Sequence, residues 1–214
     1  METYQNLISF LPYKNHAFQI KKSNWRVNSQ DKLLNHIFGD KEEILINRQD
    51  LFKNSDDIER FILMTLMWGY PTKGRGSNIE KLLEETNFQN LCYTLVRYRN
   101  AEISILDIKD EIQNRVGLGI STITKFLYFL QTTIEGNRAL ILDNRIMTVI
   151  NSGKYQSYNS LKGINASNAI NFYNGYLKIT HQLSAKLKVE PDQIEMFLFT
   201  FGRNLSKNKN NGLL

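Results

Sequence analysis

Residues 116–150 read VGLGISTITKFLYFLQTTIEGNRALILDNRIMTVI, and this stretch decides the fold. Gly117, Leu118 and Gly119 separate an amphipathic segment at 103–116 from a second one, ISTITKFLYFLQTTI, at 120–134. Helix, turn with two glycines one residue apart, and helix together spell a helix-hairpin-helix. Glycines lack side chains, so the backbone can approach an anion, and the free N–H groups that open the second helix point at it. Ser121 and Thr122 sit at that opening. On this reading the hairpin grips a phosphate backbone without reading sequence. A Gly-x-Gly on its own equally marks a tight corner between helices. The apolar run that follows, ending in Asp143 at the start of a helix over 140–153, tips the balance toward a functional motif.

Working outward, helical periodicity dominates. Asp56 can cap DDIERFILMTLMW (56–68), where Ile58, Phe61, Ile62, Thr65 and Trp68 share a face. GYPTKGRG (69–76) interrupts the pattern. Ser77, with Glu80 three residues later, carries a capping-box signature for the next helix. NFQNLCYTLVRY (87–98) is a further amphipathic candidate. A long helix falls within 166–188, and a last one carries Pro191 near its first position. Upstream, HAFQIKKSNWRV (16–27) alternates like a strand and SQDKLLNHIF (29–38) has a helical stripe. The expected fold is therefore all-α with a small N-terminal β or irregular extension. The expected division is an extension at 1–55, a main domain at 56–205 and a frayed basic tail at 206–214.

Composition narrows the class. The chain has 214 residues, 42% hydrophobic and 22% charged, which is enough to bury a core. Three prolines argue against a sandwich with a turn every few residues. A single cysteine, Cys92, excludes a disulfide framework, a zinc ribbon and a cysteine-ligated iron–sulfur cluster. His16, His36 and His181 are scattered, so no metal site is expected. No apolar run approaches the length of a membrane span, and no signal peptide opens the chain, so a cytoplasmic protein is expected. The net charge of +6 permits a nucleic-acid partner without demanding one.

VGLGISTITKFLYFL…ALILDNRIMTVI resembles the helix-hairpin-helix base-excision DNA glycosylases in order and spacing. Within that superfamily the chain looks closest to small bacterial proteins with an 8-oxoguanine glycosylase fold. The match is specific over 112–150. It extends to FILMTLMWGYPTKGRGSNIEKLL, which looks like the helix–loop–helix that pushes into a duplex. The resemblance implies an all-α, two-lobed fold with the base pocket between the lobes. It also implies double-stranded DNA as partner, bound through its backbone, and excision of a damaged or modified purine by N-glycosidic cleavage without a cofactor. Asp143 takes the position of the family's essential carboxylate.

One departure matters. Members with lyase activity carry a nucleophilic lysine two residues after the second hairpin glycine, and here that residue is Ser121. Ser121 is what the resemblance associates with hydrolysis by water. Lys125 lies one helical turn on, and helical side chains lean toward the N-terminus, so its amine can reach back to that position. Asp143 and Lys125 are thus the catalytic candidates, Asp143 stabilising positive charge on the sugar. Each has a plainer role open to it, Asp143 as a helix cap and Lys125 as a solvated or phosphate-binding lysine. Gly117, Gly119, Ser121, Thr122, Lys73 and Arg75 are candidate DNA contacts. Trp68, Tyr70, Phe197 and Phe201 are candidates for the base pocket or the wedge that fills the gap in the stack. The competing expectation is a glycosylase-fold module that binds DNA or a protein partner without excision, as an accessory of an anti-phage defence operon.

Overall fold

The computed structural model describes residues 1–74 and 76–205. Arg75 and the tail at 206–214 lie outside the described residues. In chain order the elements begin with helix α1 (Gln5–Ser9), strand β1 (Ala17–Lys21), α2 (Asp31–Phe38), β2 (Glu43–Asn47), α3 (Arg48–Lys53) and α4 (Ile58–Gly69). There follow α5 (Asn78–Leu82), α6 (Glu85–Tyr98), β3 (Glu102–Ile103), α7 (Ile105–Asn114), α8 (Ile120–Phe129), β4 (Thr133–Ile134) and β5 (Asn137–Arg138). The last helices are α9 (Asn144–Asn151), α10 (Ala169–Leu187) and α11 (Pro191–Thr200). Helix dominates, as the periodicity predicts.

The chain forms two compact units: residues 12–141, and residues 1–11 with 142 onward. The segment 1–55 is therefore shared between them. In the first unit β1 and β2 pair antiparallel, with Ile20 opposite Ile44. A second small sheet, absent from the sequence expectation, orders β3, β4 and β5. Helix α4 packs on α8, α6, α2 and the β1–β2 pair. Every residue from Phe61 to Trp68 is buried, so α4 is apolar all round as a central helix must be, rather than amphipathic.

Three local expectations change. The cap of α4 is Asp57, whose side chain accepts the Arg60 N–H; Asp56 instead pairs with Arg99 at 2.9 Å. Ser77 makes no side-chain cap, its backbone (ψ 13°) lying outside the extended region usual for a capping residue, and the Glu80 carboxylate pairs with Lys73 at 2.7 Å. Helix α8 ends at Phe129 instead of running to 134. Gln131 turns left-handed (φ 55°), and the Thr133 N–H then bonds the Ala101 carbonyl at 2.8 Å, so the β-branched Thr133 and Ile134 enter the sheet.

In the second unit α11 packs on α9, α10 and α1. The N-terminal residues are tied down here. Gln193 donates to the Ser9 carbonyl (2.7 Å), Gln5 donates to the Leu187 carbonyl (2.8 Å), and Tyr4 lies 5.3 Å from Phe197 ring to ring. Pro191 stands at the start of α11, where its missing N–H costs nothing.

Candidate active site

The hairpin glycines do different work. Gly117 has φ +88°, and a Cβ built on it would lie 2.2 Å from the Asn78 carbonyl oxygen. Its conformation and its close approach to the start of α5 both demand glycine. Leu118 is buried and anchors the turn. Gly119 is the N-cap of α8 and has an ordinary φ of −112°. A Cβ there would meet nothing within 4 Å. Its carbonyl accepts the Thr122 and Ile123 N–H groups at 2.9 and 3.0 Å, and no side chain caps the helix. The first N–H groups of α8 have no partner within the helix, and no Cβ at the N-cap stands beside them. That arrangement suits an anion.

One turn into α8, Lys125 is only 5% exposed. Its Nζ donates to the Ser121 carbonyl (2.7 Å) and to Ser121 Oγ (2.9 Å). The backward lean expected of a helical lysine thus brings the amine onto Ser121. The amine also sits 5.1 Å from the centroid of the Tyr70 ring, within cation–π range. Tyr70 is itself held by a 2.8 Å hydrogen bond between its hydroxyl and Thr122 Oγ1. Among the described residues of its unit, no carboxylate pairs with Lys125. Buried lysines are ordinarily paired with a carboxylate; here backbone, a hydroxyl and an aromatic ring take that place.

In the other unit, Asp143 caps α9. Its Oδ1 accepts the N–H groups of Arg145 and Ile146, both at 3.0 Å. Oδ2 accepts no hydrogen bond among the described residues of that unit. The residues leading to the cap, Ala139 to Leu142, are all buried. A half-buried carboxylate that accepts two N–H groups through one oxygen at a helix N-terminus keeps its other oxygen available. This can stabilise developing positive charge on a sugar without moving.

Residues 12–199 match the family described as "Putative 8-oxoguanine DNA glycosylase OGG-like protein". The chain belongs to this family. No curated protein and no solved structure matches it.

As an OGG-like protein, the chain places its other candidate residues unevenly. Trp68 is 3% exposed, with its Nε1 donating to the His16 carbonyl at 3.1 Å and its ring edge-on to His16, Phe18 and Phe129. The Arg48 guanidinium lies 5.3 Å over it. Trp68 is a core residue and does not protrude. Tyr70, two residues on, is half-buried beside Lys125. Phe197 is fully buried against Tyr4 and Tyr155, whereas Phe201, 6.4 Å from it, is partly exposed. Lys73 is not a free cation. Besides Glu80, its amine donates to the Arg26 carbonyl at 3.1 Å. Arg75 lies outside the described residues.

Sequence reasoning passed over three residues of these sites. A Cβ on Gly69 would lie 2.8 Å from Lys125 Cδ, so a side chain there would displace the lysine stem. Tyr176 and Glu195 are fully buried in the unit that holds Asp143. Burial, followed by the charges of Glu195 and, more weakly, Asp143, pushes the Tyr176 hydroxyl well above its usual value, so it stays protonated. The one available signal was an acidic residue inside the apolar run IEMFLF of α11. Among the described residues no cluster of potential metal ligands occurs, and no helix is long and apolar enough to cross a membrane.

Proposed function

We propose that this OGG-like protein is a DNA glycosylase that excises a damaged or modified purine of the 8-oxoguanine class. The observation that carries the reading is the Asp143 carboxylate, pinned by two N–H groups at 3.0 Å at the start of α9, in a chain of a glycosylase family. Breaking the bond between sugar C1′ and the base nitrogen sends the electron pair out with the base and leaves positive charge on C1′ and the ring oxygen. Asp143 offsets that charge. The hairpin N–H groups behind Gly119 hold the phosphate backbone, with Ser121 and Thr122 beside them. Lys125 supplies the amine. Once its ammonium has given a proton to water, the lone pair forms a bond to C1′. The nitrogen then passes a proton to the ring oxygen as the C1′–O bond breaks and its electron pair leaves on that oxygen. The protonated Schiff base that remains is reduced by borohydride.

Incubation with duplexes carrying single lesions, scored for abasic sites with and without alkali, tests this. The expected result is base loss from one or a few oxidised or modified purines. Absence of base loss from every duplex would overturn it.

A second reading is favoured by Ser121, which stands at the sequence position where the resemblance implies a nucleophilic lysine. Here the chain binds DNA or a protein partner without excision, as an accessory of anti-phage defence. Sequence-independent duplex binding together with loss of phage protection on deletion would support it.

A further inference from the structure

We propose that Gly69 and Tyr70, at the C-terminal end of α4, are positioning residues for Lys125. The proposal rests on Lys125 as the reactive amine of the preceding section, and its test separates the two. Three observations meet at one place. The lysine stem runs across Gly69 so closely that a Cβ there would stand 2.8 Å from Cδ and 2.9 Å from Cε. The Tyr70 ring covers the amine at 5.1 Å. The Tyr70 hydroxyl is locked to Thr122 Oγ1 at 2.8 Å, which ties the end of α4 to the first turn of α8.

A lysine has four rotatable stem bonds and a rotationally symmetric head, so nothing in the side chain itself fixes where its amine points. Here the direction is set from outside. A side chain at position 69 would occupy the space through which the stem runs. The ring face, electron-rich and aimed by the Thr122 bond, then holds the amine against Ser121. Ordering the amine before substrate arrives removes an entropic cost from the reaction step. The position after Gly69 is therefore not a generic aromatic of a base pocket. Its ring and its hydroxyl serve the amine separately: the ring covers, the hydroxyl aims.

The test uses the full chain and two probes. In the first, reductive methylation with formaldehyde and cyanoborohydride is followed at Lys125 by peptide mass, with exposed Lys53 and Lys81 as internal references. Lys125 should react slowly in the wild type, several-fold faster in Tyr70→Ala, and at an intermediate rate in Tyr70→Phe, with the references unchanged. In the second, borohydride trapping on a duplex containing an abasic site should fall by about 10²-fold in Tyr70→Ala and Gly69→Ala, the loss expected of a misplaced reactive group, and by a smaller amount in Tyr70→Phe, which keeps the ring but loses the bond that aims it. Thermal unfolding of each variant reports folding, and Tyr70→Phe keeps the test readable if Tyr70→Ala does not fold. A Lys125 methylation rate that ignores both Tyr70 substitutions overturns the positioning role even if trapping persists. A wild type that never traps, with the methylation pattern intact, overturns the nucleophile and leaves the positioning standing.

Discussion

Gly117 brings its backbone so close to Asn78 that a Cβ would stand 2.2 Å from the carbonyl oxygen, while Gly119, two residues later, faces open space. The two hairpin glycines therefore answer to different constraints, and substitution should separate them. Gly117→Ala forces a side chain into a left-handed conformation and against backbone, and should cost more than about 2 kcal/mol in denaturant unfolding. Gly119→Ala should change stability by less than about 1 kcal/mol, since its φ is ordinary and only cap quality is affected. It should nevertheless weaken duplex binding on any sequence, because it crowds the N–H groups that open α8. Equal stability losses at the two sites would refute this division.

Trp68 should behave as core. Its ring contacts Phe18 and Phe129 at 5.6 and 5.3 Å, and it is 3% exposed. Trp68→Ala should therefore destabilise the protein by about 3–5 kcal/mol in urea unfolding. A folded Trp68→Ala of wild-type stability that fails only in base extrusion would instead make it a wedge.

Lys73 can meet a phosphate only by exchanging Glu80 for it. Glu80→Gln should then tighten duplex binding, and Lys73→Ala should weaken it on any sequence and flatten the slope of log affinity against log salt by about 0.9. The same pair has a signature in acid. The hydrogen bond from Lys73 holds the Glu80 carboxyl below its usual 4.5. A depressed value means that the contribution is present above pH 4.5 and is lost as pH falls below it, through the folded-state value. Glu80→Gln should lack that part of the acid-induced loss of thermal stability. Binding unchanged in both variants would place the Lys73 loop away from DNA.

Much of this was legible in the sequence because it depended on local chemistry. Asp143 before a helical run, Pro191 at a helix start and glycines between two amphipathic segments each carry their own signal. What was illegible depended on partners distant in sequence. Asp56 and Asp57 are equally good caps on paper; Asp57 takes the cap, and Asp56 instead pairs with Arg99, more than forty residues away. Glu80 looks like a capping-box partner until Lys73 takes it. Thr133 and Ile134 continue the period of α8 but find sheet partners at Glu102 and Ile103. Gly69 reads as the opening of a loop, and its purpose, passage for the Lys125 stem, exists only once α4 packs on α8.

The most direct test of the account is single-turnover excision by the Asp143→Asn variant on whichever lesion duplex the wild type processes. Asparagine keeps an oxygen to accept the Arg145 and Ile146 N–H groups, so the helix cap and duplex binding should persist. The charge that stabilises the sugar is gone, and the rate of base release should fall by about 10²–10³-fold. Base release at the wild-type rate by a folded Asp143→Asn protein would contradict the catalytic assignment.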